Sequence, residues 1–208
     1  ARVHLGRKNV LKVDLHDFFP SIRSPRVRAA FREMGYSRPI AKVLAELCCL
    51  RCCLPQGAPT SPALSNIIAY PMDKKMMALA GEYGLVYTRY ADDLTFSGDY
   101  LPKDEVLVRI HRIIREEGFT MNVKKTRFLS EHKRKIITGV SVSSGKKMTL
   151  PKVKKREIRK NVHYVLTKGL VGHQEHIGST DPVYLKRLLG SLCSVSYTHL
   201  TLPTNSLV

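Results

Sequence analysis

Apolar residues recur along this chain with two spacings. From Val10 to Leu15, Asp14 alternates with Val13 and Leu15, which predicts a strand carrying the carboxylate on the face opposite its apolar neighbours. Leu85 to Tyr90 and Leu94 to Ser97 are rich in β-branched and aromatic residues and read as two strands of a hairpin, with Ala91-Asp92-Asp93 between them. Elsewhere the spacing is helical. Ser24 and Pro25 open a helix with Val27, Ala30, Phe31 and Met34 on one face, closed by Gly35. Ile40, Val43, Leu44, Leu47 and Cys48 predict another, with Cys48 as a core thiol at its end. Ser61 is placed to cap a helix starting at Pro62 and heading toward Ala80, which Pro71 is expected to kink or break. Pro102 to Glu117 buries Val106, Ile110, Ile113 and Ile114 and stops at Gly118. Beyond Pro151 lie a helical stripe of Ile158, Val162, Val165 and Leu166, a loop from Leu170 to Asp181 with His173 and His176 at its surface, and a last stripe of Tyr184, Leu185, Leu188, Leu189 and Leu192. Helices alternating with strands and hairpins make the fold class α+β, built on an antiparallel sheet with packed helices. No internal repeat is visible.

The hairpin tip carries the chemistry. Adjacent carboxylates repel, and a divalent cation makes the pair tolerable. Mg²⁺ suits such a site because it takes one or two carboxylates and leaves its other positions to water and substrate phosphate. Two acids in a turn are commonplace, so the pair alone says little. If the first strand lies beside the hairpin, however, Asp14 joins Asp92 and Asp93 in a cluster able to hold two metal ions for in-line displacement at phosphorus. A second segment, Leu54 to Asn66, is kept irregular by Pro55, Gly57 and Pro59 before it enters a helix. Free amides there, beside a flexible glycine, make a docking place for a nucleotide.

Three stretches, DLHDFFPSI (Asp14 to Ile22), LPQGAPTSPALSN (Leu54 to Asn66) and YTRYADDLTFSG (Tyr87 to Gly98), together resemble the palm of reverse transcriptases, and within them the retron-type bacterial enzymes. The resemblance continues through Gly118 to Asn122, Lys124 to Arg127, Ile137 to Val140 and Leu189 to Leu192, and fades at about Cys193. It implies a right-hand architecture, with a palm over residues 1–150, a partial helical thumb over 151–194, and a fingers region missing upstream. By resemblance Asp14 and Asp92 are the principal metal ligands and Asp93 completes the catalytic triad, with two Mg²⁺ ions, or Mn²⁺ in their place. Phe19 takes the position of the aromatic gate that excludes a ribose 2′-hydroxyl; its other reading is a core aromatic. Gln56 and Gly57 resemble the loop that contacts nucleotide and template. Lys124 or Lys125 resembles the palm lysine that protonates pyrophosphate; the two adjacent lysines leave that choice open, and Lys125 is carried as the nucleotide-site residue. The Gly139 loop falls near the primer, or serves only its turn.

The implied activity is RNA-directed DNA polymerisation from deoxynucleoside triphosphates. These 208 residues on their own are expected to bind nucleic acid but to be weakly active at best, since the residues that clamp triphosphate and template are expected upstream. The family's usual partners are an RNA template, an RNA–DNA hybrid and a cognate structured noncoding RNA, in phage defence. Two alternatives stand beside it. One is another bacterial reverse transcriptase, such as a group II intron enzyme. The other is a non-catalytic RNA-binding scaffold, against which the acidic triad argues, since a pure binder gains nothing from clustered acid on a basic surface.

Charge agrees with a nucleic-acid partner: 35 Lys and Arg oppose 17 Asp and Glu, for a formal charge of +18. Lys152, Lys154, Lys155, Arg156, Arg159 and Lys160 crowd the helix after Pro151, which offers a basic face to a duplex backbone, the alternative being a solvated charged face. No apolar run approaches the ~20 residues of a membrane span and no signal sequence is visible, so a cytoplasmic location is expected. Cys48, Cys49, Cys52 and Cys53 have no His-rich companion and read as reduced thiols rather than a zinc site. Finally, Val195 to Thr204 matches, in one frame, the translation of a transposase adapter, so 195–208 is expected to be a non-native tail; its alternative is a natural disordered one.

Overall fold

The computed structural model describes residues 1–143 and 147–199, and the side chains of these except 194–199. It divides into two compact units, Arg7–Lys133 and a second made of Ala1–Gly6 with the chain from Arg134 onward. The division thus falls ahead of the composition change at Pro151.

In the first unit, β1 (Asn9–Leu15), β2 (Val86–Tyr90), β3 (Asp93–Gly98) and β4 (Met121–Leu129) form one antiparallel sheet in the order β2-β3-β1-β4. Leu11, Val13 and Leu15 of β1 and Leu94 and Phe96 of β3 turn one face to the core, as period-two alternation requires. Against them pack Met72, Met76 and Leu79 of α4 (Ser61–Glu82) and Val106, Ile110 and Ile114 of α5 (Lys103–Glu116). Each such burial contributes about 1.5–3 kcal/mol. Gly118, at φ 73°, ends α5 where a side chain would be strained. Gly98 closes β3 where a Cβ would meet Leu85 Cδ2 at 2.5 Å.

Three short helices complete this unit: α1 (Phe18–Ser21), α2 (Ser24–Glu33) and α3 (Arg38–Cys48). Val27 and Ala30 of α2 are buried, but Met34 is exposed beyond its last turn. The expected inward stripe of α3 is overturned. Ala41 and Ala45 face inward, while Ile40, Val43 and Leu47 are exposed and Cys48 is only half-buried. Small residues let this helix lie close, which turns its larger side chains outward.

At α4 the cap is also different. Thr60 precedes the helix without a side-chain cap, and Ser61 is already helical, its hydroxyl donating to the Pro55 carbonyl at 2.7 Å. Nor does Pro71 break α4. Pro71 and Ile67, whose carbonyl loses its partner, both face solvent, so water can satisfy that carbonyl. Burial of Ala69, Met72 and Met76 on the opposite side holds the helix together.

In the second unit, β5 (Ile136–Ile137) and β6 (Val140–Ser141) form a small hairpin around Thr138 and Gly139, both at positive φ. α6 (Lys152–His176) follows, kinked at Gly169, and then α7 (Tyr184–His199). Ile158 is buried and Val162 and Val165 are half-buried, whereas Leu166 is 80% exposed, off the packed stripe. The loop expected from Leu170 is helical to His176. It is anchored by His173, which is buried and stacked on Tyr164 at 5.9 Å, with its Nε2 2.8 Å from the Tyr184 hydroxyl. His176 is exposed, as expected. In α7 Leu188 is buried and Leu185 and Leu189 are exposed, so the stripe is narrower than its spacing implies. Of the tail expected over 195–208, residues 200–208 lie outside the described residues.

Candidate active site

Pairing of β1 with β3 sets Asp14 directly opposite Asp93. The hairpin turn is shorter than its sequence implies: Tyr90 pairs with Asp93, leaving a two-residue loop of Ala91 and Asp92. Ala91 there adopts φ 51°, a left-handed conformation that costs a residue with a Cβ about 1–2 kcal/mol. Two hydrogen bonds hold the turn against that strain. The Leu15 amide donates to the Asp92 carbonyl at 2.9 Å, and Arg89 Nη1 donates to the Ala91 carbonyl at 3.1 Å. Carboxylates from two distant parts of the chain are thereby brought together at one end of the central β1–β3 pair.

Their electrostatics are tense. Burial pushes the Asp92 carboxyl above the usual carboxylate range, and the negative charges of Asp14 and Asp93 push the same way; its own backbone amide and Lys125 oppose them. Asp14 is 8% exposed, and its Oδ1 is buried without accepting a hydrogen bond. The nearest counter-charge is Lys125 Nζ at 3.4 Å, while Lys12 Nζ lies 3.8 Å from Asp93 Oδ2. Lys12, Val13, Asp14, Asp93, Lys125 and Arg127 line a cleft of about 250 Å³.

The reach of Lys125 comes from an irregular strand. β1 pairs Lys12 with Arg127 but Asp14 with Asn122, so β4 bulges between these positions. Inside the bulge the Thr126 hydroxyl donates to the Asn122 carbonyl at 2.9 Å, and the Lys125 amide to Asn122 Oδ1 at 3.3 Å. Lys124 is exposed, and its carbonyl accepts from Arg127 Nη1 at 2.8 Å. Of the two adjacent lysines, Lys125 is the one that meets the acids.

Among the described residues no three His, Cys, Asp or Glu side chains converge as a ready-made cage for a metal ion. Mg²⁺ does not require one. A buried carboxylate oxygen on Asp14 that accepts no hydrogen bond and a second carboxylate opposite it are the hard-oxygen donors that Mg²⁺ takes before filling its shell with water and phosphate, so the residues fit the ion.

The other sequence-selected residues lie on other elements. α1 follows Asp17, itself at φ 45°; Phe18 is buried, and Phe19 is half-buried with its ring 5.3 Å from that of Phe18. Gln56 and Gly57 are exposed in the loop ahead of α4, with Gly57 at φ 93°. On α6, Lys152, Lys154, Arg156, Arg159 and Lys160 are exposed and Lys155 half-buried, within the second unit. Lys154 is partly occupied by an ion pair with Glu157 at 3.0 Å.

Sequence reading missed Lys12, Arg127, Arg89 and Asp73. Lys12 stands two residues before Asp14 and so on the same strand face, a signal that was available. Arg127 depends on the β4 register, and the pairing of Arg89 with Asp73 depends on the packing of β2 near α4, neither of which spacing reveals.

Comparison with known proteins follows the same lines. Residues 2–165 match the family model described as reverse transcriptase (RNA-dependent DNA polymerase). The chain is 39% identical over 179 residues to the Retron Ec86 reverse transcriptase of Escherichia coli, an alignment covering 85% of this chain and 55% of that protein. It is 37% identical over 198 residues to the Retron Mx65 reverse transcriptase of Myxococcus xanthus, covering 85% and 46%. The chain thus spans about half the length of the curated relatives it matches. In fold it is similar to apo telomerase from Candida tropicalis truncated from its C-terminal domain, with TM-score 0.51 and 12% identity over 72% of this chain and 36% of that one. Telomerase from Candida albicans in complex with a fragment of telomeric RNA gives TM-score 0.50 at 12% identity, over 94% and 41%.

Proposed function

The chain belongs to the reverse transcriptase family, and on that premise we propose that it carries the active site of a retron-type RNA-directed DNA polymerase, which adds deoxynucleotides to a primer annealed to RNA. The observation that carries this reading is Asp14 opposite Asp93, with Asp92 in the turn between β2 and β3. Such a cluster opposes folding and is useful only with a cation and a phosphate to bind.

Asp14, Asp92 and Asp93 would hold divalent cations, Mg²⁺ or Mn²⁺. When bound, two such ions lower the pKa of the attacking 3′-hydroxyl and neutralise the leaving pyrophosphate. The protein's own side chains do the rest. Lys125, drawn to Asp14 in the free protein, gives a proton to the leaving pyrophosphate. Lys12 and Arg127 add positive charge to the same cleft, where a triphosphate's negative charge is then welcome. Phe19 meets the incoming sugar, and Gln56 and Gly57 meet its base and the template. The basic face of α6 grips the backbone of an RNA–DNA hybrid.

We further propose, from the family resemblance alone, a structured noncoding RNA as the template, phage defence as the setting and the cytoplasm as the site of action. No described helix is long and apolar enough to cross a membrane. Primer extension on an RNA template with purified protein tests the reading. Synthesis that requires Mg²⁺ or Mn²⁺ and disappears in Asp14→Asn is expected. Hybrid binding without any synthesis, under every metal condition, would favour the RNA-binding scaffold instead.

A further inference from the structure

Arg89 sits on β2 with its side chain only 5% exposed, facing Asp73 of α4. Its Nε donates to Asp73 Oδ1 at 2.8 Å and its Nη2 to Asp73 Oδ2 at 2.6 Å, a two-pronged contact. The Tyr87 hydroxyl donates to the same Oδ1 at 2.7 Å. Burial alone would weaken the Arg89 charge, but Asp73 outweighs it and the guanidinium is held more firmly protonated than usual. Nη1 remains, and it donates to the Ala91 carbonyl. The guanidinium carbon also lies 5.6 Å from the centre of the Phe18 ring, which adjoins Phe19.

A buried ion pair is weak evidence for stability, because desolvation consumes much of its attraction. This one has a more specific use. It stands where the chain must keep Ala91 in a left-handed conformation so that Asp92 and Asp93 face Asp14. We propose that Arg89 is a positioning residue for the acidic turn: locked to α4 by Asp73, it holds the Ala91 carbonyl and so fixes Asp92 and Asp93 where metal and substrate need them. The inference rests on the polymerase reading for its catalytic consequence but not for its effect on cation binding. Arginine is required because three acceptors must be met at once by a rigid fork, which a lysine ammonium cannot do from one point.

The test compares Arg89→Lys and Asp73→Asn with the unaltered protein. Three quantities are read: thermal melting, Mn²⁺ affinity by electron paramagnetic resonance, and kcat and KM in primer extension. Arg89→Lys keeps a charge opposite Asp73 and is expected to melt near the unaltered protein. Its Mn²⁺ dissociation constant should rise about tenfold and kcat fall at least about tenfold, with KM for the deoxynucleotide moving less than about twofold, since displacements near 1 Å already cost on the order of 10²-fold. Asp73→Asn should move the same quantities in the same direction, and it decides the matter if Arg89→Lys does not fold. Unaltered Mn²⁺ affinity and kcat in folded variants would overturn the positioning role. If the unaltered protein binds Mn²⁺ but extends no primer, the polymerase reading fails and the Mn²⁺ titration alone decides the role of Arg89. Absence of Mn²⁺ binding by the unaltered protein overturns both.

Discussion

Lys125 Nζ stands 3.4 Å from Asp14 Oδ1, and it does so because β4 departs from regular pairing between Arg127 and Asn122. The neighbouring Lys124 makes no such approach, although sequence alone treats the two as equivalent. Lys125→Gln is therefore expected to slow primer extension on the order of 10²-fold, the scale of a missing proton donor, and Lys124→Gln to change it less than about twofold. Single-turnover rates on an RNA template measure both. Equal losses in the two variants would return the choice to the open state in which the sequence leaves it.

Asp92→Asn should trade activity for stability. The neutral amide keeps the shape but cannot hold a cation, so synthesis is expected to fall at least about 10²-fold. The pH dependence of stability follows from the raised carboxyl, whose first cause is burial. Folded protein keeps this proton more tightly than the unfolded chain does. The associated stabilisation is fully present below the unfolded-chain value and is lost as pH rises through the folded one. At neutral pH the ionised side chain thus opposes folding. Asp92→Asn should then melt roughly 1–3 °C higher without metal, the scale of a solvent-screened effect in a chain of this size. That gain should vanish under acidic conditions where both forms are neutral. Differential scanning at neutral and acidic pH checks the sign.

Phe19 is half-buried beside Phe18, which leaves part of its ring available to a ligand. Phe19→Ala is expected to raise the ratio of ribonucleotide to deoxynucleotide incorporation by at least about tenfold, with the fold retained, by removing the clash with a 2′-hydroxyl. Competition between the two nucleotide types gives the ratio directly. A protein that still polymerises with an unchanged ratio would make Phe19 a core aromatic.

With a formal charge of +18, the protein should bind RNA–DNA hybrid with an affinity that falls steeply with salt. Replacing Arg156, Arg159 and Lys160 together by Ala should flatten the slope of log affinity against log salt by roughly 0.7–0.9 for each phosphate that is no longer neutralised. Fluorescence anisotropy at two or more salt concentrations reads the slope. An unchanged slope would make the exposed face of α6 merely solvated.

Much of the palm was legible because its signals are local. Val13, Asp14 and Leu15 announce a two-faced strand, and Val106, Ile110, Ile113 and Ile114 announce an inward stripe, all of which the structure keeps. Misreadings came where a neighbour decides. Spacing alone could not tell that Ala41 and Ala45, not Ile40 and Leu47, take the inner face of α3. Pro71 orphans the Ile67 carbonyl, but that position faces solvent, where water can satisfy it, and the helix continues. Leu170 to His176 has loop-like composition, yet His173 anchors it between two tyrosines. At the site, the acids were visible as residue types, whereas the Lys125 approach and the Arg89 clamp depend on a bulge and on the packing of a strand against a helix, which no spacing encodes.

The pairing of β1 with β3 and β4 also sets a schedule for synthesis of the protein itself. At about 5–20 residues per second on the ribosome, Val10 to Leu15 must wait on the order of several seconds before Asp93 emerges, and longer before β4. During that interval an uninterrupted apolar strand would be an aggregation hazard. Lys12 and Asp14 interrupt it with opposite charges on one face. The groups that later line the acidic cleft thus begin as guards of a nascent, unpaired strand, and replacing both with valine is a change whose first victim would be the yield of folded protein.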